Sequence, residues 1–81
     1  MRLADVVADV FEVDPADVVD EATPATLENW TSLRHIQLVV ALEAAYGVSF
    51  SSQEIRGFKS VGDVRRALAD KGTGVDEEAL A

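Results

Sequence analysis

Apolar residues recur over the first dozen positions at helical spacing. Leu3, Val6, Val7, Val10 and Phe11 fall at i, i+3, i+4, i+7 and i+8, with Asp5, Asp9 and Glu12 largely on the other side. The pattern predicts an amphipathic helix over about residues 2–12 with one core face. "VDPADVV" then breaks the period: Asp14 is placed to cap, Pro15 suits a first helical position and Asp17 follows three after the cap, so one short helical turn is expected. Residues 18–31, "VVDEATPATLENWT", contain Pro24 and no sustained period, which predicts a long loop. Loops of that length inside small domains are uncommon and tend to be functional. Val18, Ala22, Leu27 and Trp30 are the residues available to pin it to a core.

The next periodic segment runs over residues 32–46 and stops at Gly47, which can take the left-handed conformation that commonly ends a helix. Leu33, Ile36, Val40 and Ala44 make one apolar stripe, and Val39, Leu42 and Tyr46 make another beside it. Together they are wider than a surface helix requires. Either this helix is central to the core on two sides, or part of its apolar surface, Leu33 and Val40 among it, faces a partner or ligand.

After "VSF", Ser51 and Glu54 stand at capping-box spacing and predict a short helix over residues 52–57, ended by Gly57. Ser60 and Asp63 repeat the device and open a last helix to about residue 70, with Val61, Val64 and Leu68 facing in and Lys71-Gly72 closing it. No segment alternates as a strand does. The fold class is therefore all-α: a small four-helix bundle of three main helices and one short one, with a long loop between helices 1 and 2. Residues 1–71 form the expected domain, and residues 72–81 form an acidic, aperiodic tail expected to be disordered.

Composition narrows the function classes. A chain of 81 residues holds one small domain with a modest core, and it has no cysteine for disulfides, thiolate catalysis or thiolate metal sites. The N-terminus lacks the basic region and continuous apolar block of a signal peptide, and no stretch approaches the roughly 18 uninterrupted apolar residues of a membrane span, so a cytoplasmic protein without membrane partners is expected. A net charge of -8 disfavours nucleic acid, whose affinity comes mainly from Lys and Arg. The charge is uneven: residues 1–31 hold eight acids and one base, whereas residues 47–71 hold three acids and five bases. Basic partners are steered towards the acidic part by such a field, and the same acids also serve solubility.

Candidate chemistry is sparse. His35 is the one histidine and has no carboxylate pair at ligand spacing, so no metal site is expected and it reads as a half-exposed surface residue. Ser32 and His35, three apart, share a helix face, but a chain this small shows neither an orienting group nor an oxyanion hole, and an enzyme is not expected. The glycines are scattered and none sits at phosphate-loop spacing. What remains is Ser32 at a helix start, where free N–H groups and the helix dipole favour a phosphate carried on its hydroxyl; the same position suits an ordinary capping serine.

With those residues in view, the sequence resembles the acyl carrier protein family, four-helix bundles with a long first loop and an Asp-Ser-Leu motif opening the second helix. Thr31-Ser32-Leu33 corresponds to that motif, Leu42-Glu43, Tyr46-Gly47 and Phe50 follow in the family's order, and "FKSVGDVRRAL" is similar to its ending. The resemblance spans about residues 2–70. It implies that Ser32 receives a 4'-phosphopantetheine arm from coenzyme A, added by a phosphopantetheinyl transferase. The arm's thiol would then hold acyl groups as thioesters for acyl-loading and acyl-using biosynthetic enzymes. Two departures stand out: Thr31 replaces the Asp, and the second helix, often acidic in the family, offers Glu43 but also Arg34. Partner contact is accordingly expected at Asp20, Glu21 and Glu28 in the loop and at Leu33, Val40 and Glu43 on the second helix. Trp30 resembles a Trp-Asp-Ser-Leu subgroup of freestanding carriers in natural-product pathways such as polyketide biosynthesis, and in packing terms it is a loop anchor. The alternative is a noncovalent helical interaction module in which Ser32 is only a cap.

Overall fold

A computed structural model describes residues 2–27 and 29–75. Among them are four α-helices, α1 (Leu3–Phe11), α2 (Ser32–Tyr46), α3 (Ser52–Arg56) and α4 (Val61–Asp70), a 3₁₀ turn over Pro15–Asp17, and no strand. The expected all-helical class, element order and long first loop are all found.

The 3₁₀ turn, α3 and α4 begin at the caps that the polar punctuation predicts, whereas α1 opens at Leu3 with no side-chain cap on Arg2. Asp14 accepts from Ala16 N at 2.9 Å to start the 3₁₀ turn. Ser51 and Glu54 form a complete capping box on α3. Ser60 caps α4 by accepting from Asp63 N, but the Asp63 carboxylate reaches past the cap residue to Lys59 N at 3.1 Å. The end of α1 falls within a residue of the expected place, but the groups that complete it were not foreseen. Glu12 takes a left-handed conformation (φ 57°), unusual for a residue with a Cβ, and the last carbonyls of α1 are satisfied from outside: Phe11 O by the Asn29 amide and Val10 O by the Arg34 guanidinium.

The core gathers Leu3, Val6, Val7 and Phe11 of α1, Leu38, Val39 and Leu42 of α2, and Val61, Val64 and Leu68 of α4, closed by Phe50 and Phe58 on either side of α3. Ala22, Leu27 and Trp30 are buried and pin the long loop, as expected, with Val18 partly buried beside them. Packing also continues past the last helix. Thr73 Oγ1 donates to Leu68 O at 2.9 Å, and Val75, at 3% exposure, belongs to the core cluster, so the stretch assigned to the tail contributes apolar packing up to that point. Residues 76–81 lie outside the described residues.

The two apolar stripes of α2 lie on opposite faces, not side by side. Leu38, Val39 and Leu42 face the core, whereas Leu33, Ile36 and Val40 are 67%, 54% and 60% exposed. At about 100° per residue, positions 33, 36, 40 and 44 cluster on one side and 35, 38, 39, 42 and 46 on the other. Leu38, which neither sequence stripe included, is among the most buried side chains.

The long loop is also stitched to the far end of the chain. Val61 N donates to Ala22 O (3.0 Å) and Gly62 N to Asp20 O (2.9 Å), while the Asp20 carboxylate accepts from Arg65 Nε and Nη2 at 3.0 and 2.6 Å. A Cβ on Gly62 would stand 3.1 Å from Asp20 O, so a larger residue here would push the loop backbone back by a few tenths of an ångström.

Candidate functional site

The start of α2 separates two roles that the sequence left merged. Thr31, in extended conformation, is the cap: its Oγ1 accepts from Arg34 N at 3.3 Å, and its carbonyl accepts the first helical bond from His35 N at 2.8 Å. Ser32 is the first helical residue. Its side chain is exposed and its hydroxyl has no partner among the described residues. A reading of Ser32 as the helix cap is thereby overturned, because the backbone N–H a cap would satisfy is already bonded to Thr31.

Beside Ser32 opens a cleft of about 450 Å³, lined by Pro24, Trp30, Thr31, Ser32, His35, Ile36, Ile55 and Arg56. The loop supplies one wall, α2 the floor and α3 the other wall. Trp30 is buried at 6% exposure and lies 5.2 Å, centroid to centroid, from Phe11, which makes it the loop anchor that its size implies. Its Nε1–H donates to His35 Nδ1 at 3.0 Å, and His35 Nε2 lies 2.8 Å from Ile55 O. His35 is thus a bridge between loop, α2 and α3, not a loose surface residue. Both ring nitrogens are engaged, and neither is left to take a proton from Ser32.

The remaining expected contact residues divide. Leu33 and Val40 are exposed on the outer face of α2, and Glu21 is exposed in the loop. Asp20 is tied to Arg65, whose hydrogen bonds hold its carboxyl below the ordinary value of 3.8. Glu43 is half-buried and accepts from Phe50 N at 2.9 Å, so it fastens the chain after Gly47. Glu28 lies outside the described residues. Arg34 turns away from the outer face towards α1, where it pairs with Glu12 at 2.8 Å. Sequence reasoning missed three residues that position the site: Arg34 as a clamp on α1, Asn29 as its companion, and His35 as the bridge. None has a periodic or motif signal: Arg34 and Asn29 reach backbone carbonyls of α1 18 or more positions away, and His35 joins an indole five residues back to a backbone carbonyl of α3. Among the described residues no group of three or more His, Cys, Asp or Glu side chains is arranged to hold a metal, and no helix is long and apolar enough to cross a membrane.

The family described as "Phosphopantetheine attachment site" matches residues 2–68, a span that contains α1, α2, α3, all but the last two residues of α4, and the cleft. The chain belongs to the acyl carrier protein family. Its relatives include an "Acyl carrier protein" of Thermosynechococcus vestitus, 42% identical over 66 residues that cover 82% of each chain. They also include "Meromycolate extension acyl carrier protein" sequences of Mycolicibacterium aurum and Mycolicibacterium smegmatis. Each of these is 29% identical over 62 residues, 76% of this chain and 64% and 63% of theirs, so this chain spans less than two thirds of that pair. Acyl carrier proteins are carriers, not catalysts, and they work with phosphopantetheinyl transferases and acyl-handling enzymes. The arrangement around α2 fits such a group. An unbonded hydroxyl stands at a helix start, where backbone N–H groups and the helix dipole favour a phosphodiester, and a cleft with apolar walls lies next to it.

Proposed function

We propose that Ser32 is the attachment point of the 4'-phosphopantetheine arm and that the protein is a cytoplasmic carrier in polyketide or related natural-product biosynthesis. The observation that carries the assignment of Ser32 is its exposed, unpartnered hydroxyl at the first position of α2, with Thr31 doing the capping. The arm supplies a thiol that holds an acyl group as a thioester. The protein's own part is to present the hydroxyl outward, to stabilise the phosphodiester with the first-turn N–H groups of α2, and to offer the neighbouring cleft. Trp30 ahead of the Thr-Ser-Leu triplet supports the natural-product assignment.

The outer stripe of α2 is the docking face of this reading. Leu33 and Val40 are exposed apolar residues within reach of anything that approaches Ser32, and Glu21 is a loop acid with no hydrogen bond among the described residues. Asp20 and Glu43 have structural duties and contribute less to docking. Intact mass after incubation with coenzyme A and a broad-specificity phosphopantetheinyl transferase tests the assignment. Wild type should gain one arm and Ser32→Ala none; a gain that persists in Ser32→Ala moves the attachment elsewhere.

A further inference from the structure

Between the cleft at Ser32 and the apolar interior stands a polar crossing that carriage of an arm does not require. The Trp30 indole can only donate and the Ile55 carbonyl can only accept, so the two partners fix His35 as the tautomer protonated on Nε2, with Nδ1 as the acceptor. The ring reaches from the loop to α3. The ring is nearly parallel to Trp30, with centroids 6.1 Å apart and 21° between planes, and Phe58, buried in the core, is 6.3 Å away.

We propose that His35 sets the length of cargo this carrier shelters, admitting short acyl groups to the outer cleft and barring longer ones from the interior between α2 and α3. The inference rests on Ser32 bearing the arm. An apolar chain that folds back towards Ser32 meets Ile36 and Ile55 on the cleft walls first. To go deeper it has to part α2 from α3 at the His35–Ile55 contact. That separation takes the acceptor from Nε2–H and disturbs the ring that bonds Trp30, a buried residue whose indole N–H makes this part-buried bond and no other hydrogen bond among the described residues. An unpaired buried donor is costly, and each added methylene of a penetrating chain has to offset that loss before it gains anything. Two apolar side chains facing each other at the same place would impose no such threshold. His35 is therefore a specificity-determining residue that acts through the hydrogen bonds it holds across the gap.

The test uses the full chain loaded with acetyl, butyryl, hexanoyl and octanoyl arms, each verified by intact mass, with methyl resonances and thermal midpoint as readouts. Methyls of Ile36 and Ile55 report on the cleft, and those of Leu38 and Leu42 on the interior. In wild type, butyryl should shift the isoleucine methyls. Octanoyl should leave Leu38 and Leu42 where butyryl leaves them, and the midpoint should stop rising after butyryl. In His35→Val, octanoyl should shift Leu38 and Leu42, and the midpoint should climb with each longer chain. Trp30→Phe removes the indole donor but keeps an aromatic ring, and should give part of that response. A purely structural His35 would change all chain lengths alike. Octanoyl-induced shifts at Leu38 and Leu42 in wild type, or a length response in His35→Val equal to wild type, overturns the proposal. Should His35→Val fail to fold, the wild-type series and Trp30→Phe decide. Absence of any mass gain is a separate failure, of Ser32 as the attachment point.

Discussion

Thr31 and Ser32 are neighbours with opposite duties. Thr31 turns its hydroxyl back to the helix and spends its hydrogen-bonding capacity on Arg34 N, whereas Ser32 makes no such bond. Substitution should separate them. Thr31→Ala is expected to lower stability by about 1 kcal/mol, the usual loss for a missing cap, and Ser32→Ala by less than about 0.5 kcal/mol. Urea denaturation of both variants checks this; equal losses would mean that the serine shares the capping. Which of two adjacent polar residues caps is not legible in a sequence, because helix starts shift by a residue or two without any change of pattern. His35 was illegible for a different reason. Its partners are an indole five residues back in the loop, at no helical spacing, and a backbone carbonyl on another helix that carries no residue identity at all.

At the scale of elements, capped starts were readable and the partners that complete one helix end were not. Starts depend on side chains a few positions apart, and Asp14, Ser51 and Ser60 each cap as their spacing predicts. The end of α1 depends on residues that lie far along the chain. Arg34 reaches across to Val10 O and the Glu12 carboxylate, and Asn29 reaches to Phe11 O, so the first helix is completed by the loop and by α2. Arg34→Ala should destabilise the protein by about 1–2 kcal/mol, since it takes the donor from the part-buried Val10 carbonyl, while the mostly exposed Glu12 carboxylate is left to water. Arg34→Lys should recover little, because one ammonium cannot copy a guanidinium that serves two acceptors from two nitrogens. Urea midpoints report the loss, and amide exchange over residues 10–12 locates it. The faces of α2 were readable in kind but not in place. The residues of both stripes were identified, but their angular separation was underestimated, and Leu38 went unassigned beside them.

Taken as a whole, the molecule is held by a loop that behaves as a structural member. Residues 20–22 exchange backbone hydrogen bonds with the start of α4, and the Asp20–Arg65 ion pair reinforces the contact. The pair contributes in a definite pH range. Arg65 holds the folded-state Asp20 carboxyl below its ordinary 3.8, so its stabilisation is present above that value and is lost as pH falls through the lowered one. Asp20→Asn should therefore cost up to about 1 kcal/mol near neutral pH, a partly exposed pair being worth no more, and the difference from wild type should shrink below about pH 4 and vanish in stronger acid. Denaturation midpoints at several pH values check both sign and window. The architecture itself was readable because period, caps and glycines agree along the chain. The pairing of the loop with α4 was not, since nothing in "VVDEATPATLENWT" marks Asp20 as the partner of Arg65, forty-five positions later.

The bare backbone of Gly62 against Asp20 has a mechanical consequence. The segment that delivers Ser32 is moored at one end to α1 through Asn29 and at the other to the last helix, so its tension is shared by both ends of the polypeptide. Fraying of α4 would slacken the approach to the serine well before it exposed the serine's own helix.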